Sequence, residues 1–296
     1  MTFLILALFF HGPEPFFQED SQGTPKPERF APGVISTELP EFAISFDPDG
    51  QTVYFNRTTA NRDRILFLMS RRQDGNWQPP QPVPFAAAGA AEVDPFVTLD
   101  GKYLYFSSNR PKKAGAERGD FETWVVQRAG ESWGKPKLLP APANGPSTEV
   151  FVSLDRQGTL YFASDRHTGF NLGIFSAKPD NGGFAAPELI TFSGQDLPAS
   201  NPCIAPDGSF LVFSADLAGG KGETDLYVSF FDKEQWGRPQ NIPLVNSRWA
   251  EFAPAIGPQE KYLYFTSERV APGNRVESRP PGDIYRIPLR VVTAMR

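Results

Sequence analysis

One pattern returns five times along the chain: an apolar stretch, opened in four of the copies by a glutamate, then a tight turn, then a strand closing on aromatic residues. The copies are EFAISFDPDGQTVYFN from Glu41, EVDPFVTLDGKYLYFSSNR from Glu92, EVFVSLDRQGTLYFASDR from Glu149, ASNPCIAPDGSFLVFSAD from Ala199 and EFAPAIGPQEKYLYFTSER from Glu251. Their spacing is about 50 residues, and each interval holds only strand-sized segments and turns. A repeat of this kind is one small sheet that cannot cover its own faces, and stacking such sheets around an axis covers all of them. The expectation is an all-β chain, a five-bladed β-propeller of four-stranded antiparallel blades.

The parts of each copy carry their own signals. Asp49-Gly50, Asp100-Gly101 and Asp207-Gly208 mark hairpins between a first and a second strand, with Gly158 and Glu260 standing at the same place in copies three and five. The second strands (TVYF, YLYF, LYF, FLVF, YLYF) are almost continuously apolar, as when a sheet is sandwiched on both faces. Phe55, Phe106, Phe162, Phe213 and Phe265 are therefore core. An aromatic-x-x-Pro recurs after the third strand (Trp77 with Pro80, Trp133 with Pro136, Phe184 with Pro187, Trp236 with Pro239), which fits an outer edge where a missing N–H is tolerated. Copy five lacks this fourth strand. KPERFAPGVIS, residues 26–36, resembles RPQNIPLVNS, residues 238–247, so the amino-terminal strand is expected to complete the last blade and close the ring.

These features resemble the TolB-like propeller repeats, also described as WD40-like β-propeller repeats, whose pattern is an acid, a proline, a PDG turn and LYFSSDR. The resemblance covers residues 26–290. It implies a propeller of the kind found in periplasmic and cell-envelope binding proteins and as portions of larger enzymes. TolB itself differs in having six blades and an extra α/β domain, so its partners do not carry over.

Glu41, Glu92, Glu149 and Glu251 occupy one repeat position, and a base follows the second-strand phenylalanine by four places at Arg110, Arg166 and Arg269. Acid and base lie at nearly equal distances from a hairpin turn, which brings them opposite each other on paired strands. Where copy four has Ala199 for the acid, it has Leu217 for the base. Copy one has Thr59 at the base position, with Arg57 and Arg62 nearby. Loss of both partners together is what a structural ion pair predicts, since one partner alone would be a buried uncompensated charge. The competing expectation is a ring of carboxylates at the channel mouth. Glu41, Glu92, Glu149 and Glu251, with Asp94 and Asn201 two places on in their copies, would then hold a cation such as calcium, a basic peptide or another ligand, provided three of the glutamates are free of arginine. Long connections between second and third strands in copies two, four and five mark the face beside these acids as the ligand surface.

Several chemistries are not supported. With 29 basic and 34 acidic residues the net charge is -5 and no basic run exceeds two, which offers no footprint for nucleic acid. The only histidines are His11 and His167, no G-x-S-x-G elbow is present, and the single cysteine, Cys203, sits among apolar neighbours as an inert thiol. No P-loop, dinucleotide fingerprint, C-x-x-C or H-E-x-x-H occurs, so no cofactor is expected and no catalytic residue is assigned. No hydrolase domain accompanies the repeats, so a propeller peptidase is not expected. The apolar run Phe3–Phe10 is too short to span a bilayer and reads as part of an export signal. Residues 1–25 are thus expected to be leader and linker, and 26–296 one domain, periplasmic or secreted and monomeric. The leading functional expectation is a module binding a protein, peptide or glycan on the long-loop face. The alternative is a glycosidase-like enzyme using channel-mouth carboxylates.

Overall fold

The computed structural model describes residues 22–113, 115–270 and 280–296. Five antiparallel sheets follow one another along the chain as blades of a propeller. The innermost strands are Glu41–Phe46, Glu92–Val97, Glu149–Leu154, Ser200–Ile204 and Glu251–Ile256. Each pairs with a second strand (Thr52–Thr58, Tyr103–Ser108, Leu160–Ser164, Phe210–Ala215, Tyr262–Ser267) and that with a third. In blades one, two and four the outer strand is broken, as the aromatic-x-x-Pro element demands. In blade one, Asn76–Trp77 pairs with the end of the third strand and Gln81–Pro82 with its middle.

The second-strand phenylalanines are at most 1% exposed and sit in cores shared by neighbouring blades. One such core joins Tyr54 and Phe67 of blade one to Phe106 and Trp124 of blade two, and another joins Val212 and Val228 of blade four to Phe265 and Tyr285 of blade five. Burial therefore welds blade to blade. The turn glycines Gly50, Gly101, Gly158 and Gly208 take φ between 69° and 80°, and in blade five Glu260 adopts φ 54° in the glycine's stead. A short helix, Arg290–Thr293, ends the chain and buries Val292 in the core between blades four and five.

The ring closes through the amino-terminal segment. Glu28 and Arg29 lie opposite Arg286 and Tyr285 as the fourth strand of blade five. Two ion pairs flank this ladder, Arg29 with Asp283 at 2.8 Å and Arg286 with Glu28 at 2.5 Å. Phe30 then wedges between blades five and one, its ring 5.1 Å from Tyr264, 5.7 Å from Trp77 and 5.8 Å from Phe46. Residues 1–21, with the apolar run, and most of the long connection of copy five, residues 271–279, lie outside the described residues.

Candidate functional site

Each glutamate at the start of an inner strand is buried and tied to the linker leading into its blade. Glu149 accepts from the Gly145 N–H at 3.1 Å, the Ser164 hydroxyl at 3.2 Å and Arg166 Nη2 at 2.9 Å. Glu251 accepts from Ser247 N–H and Oγ, both at 2.7 Å, and lies 3.4 Å from Arg269. Glu92 accepts from Ala87 N–H at 3.1 Å and Arg110 Nε at 2.9 Å. In blade one it is Arg57, directly across the ladder, that reaches Glu41, at 2.6 Å. The arginines reach back to the same linkers, Arg57 donating to the Val34 carbonyl at 2.9 Å and Arg110 to that of Phe85 at 3.3 Å. They also lie over second-strand phenylalanines, Arg110 and Arg166 each 5.0 Å from the ring below. Burial pushes the Glu41 and Glu149 carboxyls above the usual carboxylate range, although the bonds from Thr37, Gly145 and the arginines pull the other way.

These four residues are joints between blades. None of them lines the axial cavity, and all four carry an arginine, so the condition for a cation-holding carboxylate ring is not met. Blade four shows the joint in apolar form, with Ala199 buried beside Leu197 and Leu217. The buried Asp225 nearby is satisfied by the Lys221 and Gly222 N–H groups and by Asn241 Nδ2, so no unpaired charge is left by the exchange. That is the arrangement expected where an ion pair and its apolar substitute are nearly equivalent.

The two remaining candidates have a different fate. Every inner strand carries a β-bulge near its start, and the bulged residue takes a left-handed conformation: Ala43 (φ 48°), Asp94 (59°), Phe151 (58°), Asn201 (50°) and Ala253 (48°). A positive φ is costly for residues with a Cβ, and the preceding blade supports three of the five. Ala43 N–H donates to Thr266 Oγ1 at 3.2 Å, Asp94 N–H to Asn56 Oδ1 at 3.0 Å and Phe151 N–H to Ser107 Oγ at 3.3 Å. The equivalent residue facing Asn201 is Ala163, which has no acceptor to offer. The bulges form a ring around the propeller axis in which blades two, three and four contribute Asp94, Phe151 and Asn201, and blades five and one contribute only alanines.

This ring is the inner end of a cavity of about 300 Å³ running down the axis to the hairpin turns. Its walls include Phe46, Phe96, Val152, Ile204 and Ile256, and it reaches solvent beside the exposed Leu99, Arg156 and Gln259. It opens among the turns between first and second strands, on the side opposite the long connections, so the long-loop face is not where the cavity leads. At its inner end Asp94 is 7% and Asn201 6% exposed, and neither Asp94 Oδ2 nor Asn201 Nδ2 has a hydrogen-bond partner among the described residues. Burial alone pushes the Asp94 carboxyl up to about 8, with no cation or donor opposing it. Asp94 is therefore mainly a neutral carboxylic acid at pH 7. Two other carboxylates line the cavity, and each has an arginine: Asp47 pairs with Arg128, and Glu260 with Arg156 at 2.5 Å. Cys203 lies on the wall with its thiol pushed by burial up to about 12, which makes it unreactive. Among the described residues no three His, Cys, Asp or Glu side chains converge as metal ligands.

No family model and no curated protein matches the sequence. Solved structures do match in shape. An α-L-arabinofuranosidase from Lactobacillus brevis superposes with a TM-score of 0.55 at 13% identity, covering 84% of this chain and 90% of that one. A GH43 endo-arabinanase from Bacillus licheniformis gives 0.52 at 11% identity, covering 83% and 93%. A protein of unknown function from Dyadobacter fermentans gives 0.51 at 12% identity, covering 89% and 98%. These likenesses establish the propeller fold. At such identities they carry no residue of a catalytic site across.

Proposed function

We propose that this propeller is a carbohydrate-binding module that takes a sugar into its axial cavity through Asp94 and Asn201. The observation that carries the reading is the pair of unsatisfied buried polar atoms at the inner end of a cavity whose walls are part apolar and aromatic, part polar. A buried polar group without a partner costs about 1 to 3 kcal/mol, a debt that a ligand rich in hydroxyls removes. A protonated Asp94 donates as well as accepts, and Asn201 Nδ2 donates, while Phe46 and Phe96 offer apolar faces to the less polar side of a pyranose or furanose ring. Sugar-acting proteins among the solved structures of the same fold are in keeping with this reading. So is the resemblance of the repeats to those of exported TolB-like binding proteins, with export itself part of the proposal.

One observation favours a second reading, glycoside hydrolysis: a carboxyl held protonated near neutrality suits a general acid. The geometry opposes it. Two-carboxylate hydrolysis places its carboxyls roughly 5 to 10 Å apart. The Val97 N–H donates to Ser45 Oγ, which sets those residues level. Asp94 lies three residues to one side and Asp47 two to the other, so about 15 Å of strand separates them. Asp47 is also held by Arg128. The test is a glycan array followed by calorimetric titration of the best hit. Micromolar to millimolar binding that Asn201→Ala weakens, with no release of reducing sugar, supports the module; turnover abolished by Asp94→Asn supports the hydrolase. Binding that survives both substitutions overturns the cavity assignment.

A further inference from the structure

The cavity's charges narrow the ligand further, given the carbohydrate reading above. Every hairpin turn around the mouth carries an acid: Asp49, Asp100, Asp155, Asp207 and Glu260. The nearby bases Lys102, Arg128 and Arg156 are already engaged by Asp100 (2.9 Å), Asp47 and Glu260 (2.5 Å), and Lys261 adjoins Glu260 on the fifth turn. A cation approaching this face meets a favourable field, and an anion does not. At the inner end the one carboxyl without a counter-charge, Asp94, is flanked around the ring by Phe151, whose π-face attracts cations, and across from it stands the Asn201 amide. The other charged or titratable groups on the walls are Asp47, Arg156, Cys203 and Glu260, and no cation among them faces Asp94.

We infer that the sugar bound in the axial cavity is an amino sugar, its ammonium group paired with the Asp94 carboxylate and its neighbouring hydroxyl accepting from Asn201 Nδ2. An ammonium supplies what the site lacks, a positive charge and donors for Asp94 Oδ2, whereas a neutral sugar supplies donors alone. A charge-assisted hydrogen bond in a desolvated site is the strong kind. The ionisation of Asp94 that it requires sheds a proton.

The test titrates the full chain at pH 7 with four probes: a β-1,4-linked glucosamine disaccharide, its di-N-acetyl form, cellobiose and n-butylamine. The expected result is binding of the glucosamine disaccharide roughly tenfold or more tighter than either uncharged disaccharide. Its heat should vary with the buffer's ionisation enthalpy as release of a proton requires, and both the preference and the release should vanish in Asp94→Asn while Asn201→Ala weakens every sugar. Because Asp94→Asn removes the charge with little change of shape, its thermal transition checks that it folds. Equal affinity for cellobiose and the glucosamine disaccharide, with no proton release, overturns the amino-sugar inference and leaves carbohydrate binding standing. Butylamine binding without binding of any disaccharide sinks the carbohydrate reading while keeping the ammonium site. Silence from all four probes overturns the inference.

Discussion

Replacing Asp94 by asparagine tests whether its carboxyl is truly stranded in the cavity. In the folded chain burial holds this group at about 8, against a starting value of 3.8. A raised acid favours the folded state when protonated. Its contribution is complete below about pH 4, declines through the interval up to about pH 8, and is then gone. Each pH unit in that window costs about 1.4 kcal/mol, so between pH 5 and pH 8 the wild-type chain should lose about 4 kcal/mol that the asparagine variant keeps. In a domain of this size a kilocalorie moves the melting temperature by about 2 °C, so the gap between the two proteins should open by about 8 °C across that range. Differential scanning calorimetry of both proteins at pH 5, 6, 7 and 8 measures it directly. The groups shared by both, among them Glu41, Glu149 and Asp283, whose carboxyls burial also raises, cancel in the comparison. Parallel curves would show that water or a neighbour already serves Asp94, and the reasoning about the cavity's inner end would fail with them.

Arg166→Ala should cost about 3 kcal/mol or more, because it strands the buried Glu149; a melting temperature equal to wild type would count against the joint. Ala199→Glu alone should destabilise by a few kcal/mol and Ala199→Glu with Leu217→Arg should recover most of that loss, a coupling read from a double-mutant cycle in urea. Phe30→Ala should cost about 3 kcal/mol or more by emptying the wedge between blades five and one, and a chain begun at Thr37 should lose cooperative unfolding, since blade five then lacks its outer strand. A sharp, unshifted transition of that shortened chain would refute closure by the amino-terminal strand.

The architecture was legible because its signals are local and repeated. Turn dipeptides, second-strand phenylalanines and the likeness of residues 26–36 to 238–247 specify five blades and their closure without any knowledge of distance. The joint between Glu and Arg was legible for another reason: blade four exchanged Ala199 and Leu217 together, an internal experiment on which residues touch. The cavity was not legible, and the bulge explains why. Reading a strand by alternation assumes two residues per repeat, and an extra residue at Asp94 or Asn201 shifts the phase, so the side chains before and after it change faces. No glycine announces the left-handed residue. What supports it is a side chain of the preceding blade, as Asn56 supports Asp94. The acids at strand starts are joints and not the channel mouth of the competing expectation, while the residues two places on, grouped with them there, are the ones that meet the axis. The connection lengths pointed to one face of the disc and the cavity opens on the other.

The most direct measurement is a crystal structure of the chain grown with its best-binding sugar. Density is expected in the axial cavity, with a polar atom of the sugar within hydrogen-bond distance of Asp94 Oδ2 and another within reach of Asn201 Nδ2. A sugar seated instead among the long loops on the opposite face, with the cavity unchanged, would show that Asp94 and Asn201 do not form the binding site.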